Sequence, residues 1–213
     1  MNKEFEKGLL FAGLGSFFWG FFGVLYFKYI SHIGHIELVI HRCLWTTFTL
    51  IITTSFFSKW KIFFEVINNK KNLIFLFFSG ILIFINWAVW IYAIAIDKII
   101  DASFGYFIMP ILSVLLGYIF FKEKLNKKRI FSIILVIISI LYLIIVSFKS
   151  LPWVGLIVAL SWAFYNPIRK KINIDTDIGL LIESLYILPF ALITFYLITK
   201  NDFNDFTLSN PPM

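Results

Sequence analysis

The sequence predicts an all-α integral membrane protein with about seven transmembrane helices and its N-terminus inside. Three observations carry that expectation. Of the 213 residues, 60% are hydrophobic and only 15% charged, too little charge to cover a soluble domain of this length. The apolar residues run in blocks rather than at the one-face spacing of an amphipathic helix. The basic residues gather in alternate connections between those blocks, as expected of loops held in the cytoplasm.

A helix needs about 20 mostly apolar residues to cross the hydrocarbon layer. Seven segments meet that length: Gly8–Phe27, Glu37–Phe57, Leu73–Ile96, Ala102–Phe121, Ile130–Phe148, Pro152–Ile168 and Ile178–Thr199. The first follows Lys3 and Lys7, as a signal peptide would. Its uncharged run is too long for such a peptide and lacks a small-residue cleavage site, so it is read as a membrane helix. The sixth is the shortest. Between the second and third lie Lys59, Lys61, Lys70 and Lys71; between the fourth and fifth, Lys122, Lys124, Lys127, Lys128 and Arg129; between the sixth and seventh, Arg169, Lys170 and Lys171. The other connections carry Lys28, Lys98 and Lys149 once each. All three basic loops place the N-terminus in the cytoplasm and, after seven crossings, Met213 outside. The loop 58–72 also holds Trp60, Phe63, Phe64 and Ile67 at helical spacing, which predicts a short helix on the inner surface.

An internal repeat is visible. Leu14-Gly15-Ser16-Phe17-Phe18-Trp19-Gly20 in the first segment matches Leu160-Ser161-Trp162-Ala163-Phe164-Tyr165-Asn166 in the sixth, and the stretch around Arg42 can be laid on the stretch around Glu183. A repeated unit of five helices must invert, which is a hallmark of secondary transporters. The chain then divides into a first five-helix repeat over 1–148 and a partial second repeat over 149–213, two helices and a short tail.

Charge inside the hydrocarbon region is costly and usually functional. Arg42 and Glu183 are the clear cases. They lie at different depths, about 15 Å apart along the membrane normal at 1.5 Å per residue. Separate partners are therefore expected: Asp101 or Glu37 for Arg42, and a basic residue of an inner loop for Glu183. The competing reading is that both snorkel to the headgroups. His41 and Trp45 share a helix face, as do Asn86 and Trp90, next to Trp87. Asn86 needs a partner helix, because a lone amide in lipid is unsatisfied. Pro110, near Gly105 and Tyr106, removes a backbone hydrogen bond from the fourth helix. Lipid-facing or interfacial packing is the alternative for any single aromatic. Cys43 reads as a small core residue, and one cysteine allows no disulfide within the chain.

Several functions find no support. His32, His35 and Glu37 do not make a complete metal ligand set, and no cofactor motif is present. No constellation suits an enzyme. The net charge of +7 sits in membrane-flanking loops, so lipid rather than nucleic acid is the expected partner.

Taken together, Phe18-Trp19-Gly20, Tyr26-Phe27-Lys28, Glu37 with His41-Arg42 and Trp45, Asn86-Trp87, Ala102-Ser103-Phe104-Gly105-Tyr106-Phe107-Ile108 with Pro110, Glu123, Phe164-Tyr165 with Arg169-Lys170-Lys171, and Leu181-Ile182-Glu183 resemble the RarD group of EamA-type permeases in the drug/metabolite transporter superfamily. The resemblance implies a ten-helix inner-membrane carrier of two inverted repeats around a central cavity. The cavity candidates are then Trp19, His41, Arg42, Asn86, Trp87, Tyr106, Pro110, Tyr165 and Glu183, with a small metabolite or drug as substrate. Two departures stand out. Met109 occupies a position where the family usually has Asn, and the chain ends near where an eighth helix would begin. The expectation is a truncated carrier that does not transport alone. The second reading is a non-transporting remnant, or a fragment that needs a separately encoded C-terminal part; a homo-oligomer is a further partner expectation.

Overall fold

The computed structural model describes residues 3–30, 32–122, 125–148, 152–201, 203 and 205. Glu123, Lys124, Lys149 and Met213, which entered the sequence reading, lie outside them. The described residues form α1 (Lys3–Phe18), a π-helical turn (Trp19–Gly23), α2 (Val24–Tyr29), α3 (His35–Phe56), α4 (Trp60–Ile67), α5 (Lys70–Ala95), α6 (Ile99–Phe121), α7 (Lys127–Leu143), a second π-helical turn (Ile144–Phe148), α8 (Trp153–Ile172) and α9 (Thr176–Lys200). The fold is all-α, as the blocks of apolar residues require.

Six of the helical rods are long and apolar enough to cross a membrane: Glu4–Tyr29, His35–Phe56, Lys70–Ala95, Ile99–Phe121, Lys127–Val146 and Thr176–Lys200. The remaining expected segment folds as α8 but does not reach that apolarity, because Ser161, Tyr165, Asn166 and Arg169 interrupt it. It also ends four residues later than expected, at Ile172. The run Arg169-Lys170-Lys171, read as a loop, forms the last turn of α8. Cations there complement the partial negative charge of a helix C-terminus, and Asn173 ends the helix in the left-handed region at φ 45°. The basic residues before α5 and α7 are likewise drawn into first turns, below the N-caps Asn69 and Asn126, whose side chains accept from Lys71 N and Arg129 N.

Two helices sit at the centre. Helix α8 packs on α5 and α6, and α9 packs on α3 and α5, so the described helices before and after residue 149 share one bundle. The α6–α8 crossing is close because both helices present glycine. A Cβ on Gly105 would lie 2.4 Å from the Gly155 carbonyl oxygen, and one on Gly155 would lie 2.3 Å from the Asp101 carbonyl oxygen. Small residues let membrane helices approach in this way. The main core runs through α3, α5, α8 and α9 with Ile91, Ala93, Ala102 and Val154. A second cluster joins Phe63 and Val66 of α4 to Leu76, Ile178 and Leu181. Thus α4 exists as expected and plugs onto the bundle through α5 and α9. By contrast α7 buries no described residue, and the apolar stretch of the first rod buries none either.

The two ends of the bundle are tied differently. At one end Lys59 Nζ meets Asp175 Oδ2 at 3.2 Å and Asp177 Oδ2 at 2.8 Å, joining the α3–α4 and α8–α9 connections. Hydrogen bonds to Asp177 first, then Asp175, raise the Lys59 ammonium above its ordinary value. At the other end Lys28 pairs with Asp97. There, Asp205 N donates to Glu37 Oε2 at 2.8 Å, and Gly34 N donates to Asp205 Oδ2 at 3.0 Å.

Candidate functional site

A cavity of about 570 Å³ opens between the first rod and helices α3, α5, α6, α8 and α9. The helix geometry explains its lining. Residues Ile83, Asn86, Trp87 and Trp90 are three to four apart and share one face of α5; Trp162, Tyr165, Asn166 and Arg169 do the same on α8. Trp19 enters from the π-helical turn, where Gly23 leaves room: a Cβ there would lie 3.2 Å from the Trp19 ring. Its ring lies 5.2 Å from that of Trp90. Tyr106 closes the α6 side.

Arg42 is the cation expected inside the membrane, and its side chain turns toward neighbouring helical elements. The partners differ from expectation. Its guanidinium carbon stands 4.5 Å from the centre of the Trp87 ring, 5.1 Å from that of Trp19 and 5.8 Å from that of Phe27. Among the described residues no carboxylate lies within ion-pair distance of it. Glu37 is instead engaged by His41 Nε2, at 3.7 Å, and by Asp205 N. Ring faces of three elements converge on the cation and hold it electrostatically, which leaves its N–H groups for other acceptors.

Glu183 is fully buried. Ser79 Oγ donates to its Oε1 at 2.5 Å and Tyr165 OH to its Oε2 at 3.1 Å. Arg169 Nη1 lies 3.6 Å from Oε1. The basic partner thus comes from the region expected for it, but from a helical turn rather than a loop. Gly179, one turn before Glu183, makes the pairing feasible: a Cβ there would fall 1.6 Å from Arg169 Nη1. The Arg169 guanidinium also donates through Nη2 to the carbonyls of Thr176 at 3.2 Å and Asp175 at 3.4 Å. Asn86 Nδ2 donates to Val158 O at 3.1 Å and Ser161 Oγ at 2.9 Å. The partner helix that this amide requires is therefore α8.

Of the nine candidates, Trp19, Arg42, Asn86, Trp87, Tyr106 and Tyr165 line this cavity. Glu183 stands behind its wall, fixing Tyr165 and Arg169. His41 lines a neighbouring cavity of about 470 Å³ with Trp45 and Thr49, and Arg42 and Leu180 belong to both cavities. Pro110 is exposed and lines neither, and α6 continues through it. Sequence reasoning left out Trp162, Asn166, Ser79 and Gly179. The last carried a signal: a glycine four residues before an intramembrane glutamate is on the same helix face.

The comparisons with known proteins agree with this architecture. The model of the EamA-like transporter family matches residues 6–145. The chain is 36% identical over 196 residues to the uncharacterized transporter YojE of Bacillus subtilis, covering 90% of this chain and 64% of that protein. It is 33% identical over 211 residues to protein RarD of Escherichia coli, covering 99% of this chain and 70% of that protein. An uncharacterized transporter of Vibrio cholerae is 31% identical over 208 residues, 98% of this chain and 68% of that protein. The chain thus spans about two thirds of the length of these relatives. No solved structure matches it. The chain belongs to the EamA-like transporter family and, within it, to the RarD type.

Proposed function

We propose that this chain forms the substrate cavity of a multi-pass inner-membrane permease that moves a small metabolite or drug. The observation that carries the proposal is the 570 Å³ cavity. It lies among apolar spans, takes polar and aromatic side chains from the π-helical turn of the first rod and from α3, α5, α6, α8 and α9, and has the size typical of a site for a small organic molecule. Polar groups so placed are costly unless they serve a pathway. In this reading the Lys59 end, with its basic connections, faces the cytoplasm, and the unburied faces of α1 and α7 meet lipid.

The test is to place the purified chain in vesicles with a panel of labelled amino acids, organic acids, nucleosides and aromatic drugs. The expected result is protein-dependent saturable binding of at least one compound, lost with Trp87→Ala and Tyr106→Ala. A panel with no binding above empty vesicles, or a saturable signal that both variants retain in full, would overturn the proposal.

A further inference from the structure

We propose that the cavity takes a small organic anion with a flat apolar body, and that Arg42 is the group that holds the anionic end. This rests on the reading of the cavity as the substrate site.

The charge on its wall is one-sided. Two guanidinium groups line it, Arg42 and Arg169, and among the described residues no carboxylate does. The two are not equivalent. Arg169 is committed, with Glu183 beside Nη1 and two backbone carbonyls on Nη2. Arg42 makes no hydrogen bond or ion pair to any described residue; only ring faces hold it. Rings stabilise the charge yet leave the edge of the planar fork open, and that edge is shaped to grip a carboxylate or phosphate with two parallel hydrogen bonds. An unneutralised cation inside a membrane span is expensive, so an arriving anion is favoured and an arriving cation repelled.

The rest of the wall sets the body of the ligand. Trp87, Trp90, Trp162 and Tyr106 contribute aromatic side chains to the lining, suited to a planar apolar group. Asn86 spends its amide donors on α8 and gives the ligand little polar recognition. Arg42 also borders the neighbouring cavity, so an anion bound there sits at the junction of the two spaces.

A lipid phosphate shares the chemistry of a soluble carboxylate, so the experiment separates them. The 213-residue chain is placed in nanodiscs of zwitterionic lipid and titrated with 4-nitrobenzoate, 4-nitrobenzamide and 4-nitrobenzylamine, read by quenching of tryptophan fluorescence against empty discs. The three share one body and differ in charge. The carboxylate is expected to bind about tenfold or more tighter than the amide, through charge-assisted hydrogen bonds, and the amine weakest. Arg42→Gln should bring the carboxylate down to the level of the amide. Arg42→Lys, which keeps the charge but not the fork, should retain part of the preference. The comparison of the three compounds on the unaltered chain does not depend on any variant folding.

Equal binding of carboxylate and amide, both weakened by Trp87→Ala, would overturn the anion assignment while leaving the cavity as the site. A carboxylate preference that survives Arg42→Gln would place the anion elsewhere and overturn it too. No saturable quenching by any of the three would overturn the site and the assignment together. Discs containing phosphatidylglycerol supply the last arm: unchanged nitrobenzoate affinity supports a soluble anion, and its loss would assign Arg42 to a lipid headgroup and overturn the proposal.

Discussion

Replacing Gly155 by Ala tests the packing that brings α8, and with it Trp162, Tyr165, Asn166 and Arg169 of the cavity wall, into place. The added Cβ would sit 2.3 Å from the carbonyl oxygen of Asp101. That atom belongs to the α6 backbone and cannot rotate away. Reaching an ordinary contact of 3.4 Å requires the two helices to part by about 1.1 Å. A gap of that size forfeits about a quarter to a half of each van der Waals contact along the crossing, and overpacking of a tight interface typically costs about 1–3 kcal/mol. Because α6 is a principal partner of α8, the expected loss is near the top of that range, read as unfolding free energy in a detergent titration. Gly105→Ala meets the same crossing from the other side, 2.4 Å from the Gly155 carbonyl oxygen. Once one substitution has separated the helices, the second has less left to disturb, so the double variant should cost clearly less than the sum. Gly13→Ala and Gly15→Ala, where a Cβ meets nothing, should be neutral or slightly stabilising through helix propensity. A Gly155→Ala protein as stable as the unaltered chain, or strict additivity with Gly105→Ala, would refute the close-approach argument.

Glu183→Ala should destabilise by about 3–5 kcal/mol, because it leaves the Arg169 cation without its counter-ion; Glu183→Gln, which keeps an acceptor for Ser79 and Tyr165, should cost less, and equal losses in the same titration would contradict the network. Asn86→Leu should cost about 1 kcal/mol, in line with interhelical hydrogen bonds in membranes, and a gain in melting temperature would show that its bonds to α8 contribute nothing. Lys59 has a folded-state pKa raised above the ordinary 10.5 by Asp177 and Asp175. Its contribution is therefore complete below that value and lost as pH rises through the folded one. The difference in melting temperature between the unaltered chain and Lys59→Gln should be flat from about pH 7 to 9 and close above about 10.5, and a difference already gone at neutral pH would contradict the pairing. A fluorescent reporter that folds only in the cytoplasm should light up when fused after Lys128 and stay dark after Asp97, and the reverse pattern would invert the proposed orientation.

The parts of this fold that were legible in the sequence are those set by the solvent. A bilayer demands long apolar runs, so the helices could be read from composition along the chain, and Asn86 announced a partner because lipid offers none. Local rules also reached α4, whose aromatic spacing needs no knowledge of the rest of the chain. The boundary of α8 was missed for a reason equally local: Arg169-Lys170-Lys171 looks like a loop to a rule that counts charge, whereas a helix C-terminus welcomes the same charge. The apolar count failed at α8 for a different reason. A helix walled in by α5 and α6 need not be apolar on every face, so its polar residues were free to point into a cavity.

The two arginines show where reading along the chain stops. A search for a partner to Arg42 naturally turns to Glu37 and Asp101, the carboxylates near the same surface. The actual partners are neutral rings, supplied by the first rod at Trp19 and Phe27 and by α5 at Trp87, which become neighbours only when the bundle assembles. No pattern of charge foreshadows a cage of that kind. Arg169 is the converse: its carboxylate partner was expected in kind, yet the contact depends on a missing side chain, that of Gly179. The bundle thus accommodates two partly buried cations by two devices. An ion pair with four further hydrogen-bonding groups consumes the charge of Arg169 and fixes Tyr165 on the cavity wall. A ring cage leaves the charge of Arg42 unspent, and a charge kept available inside lipid is the feature of this site that most needs a ligand to explain it.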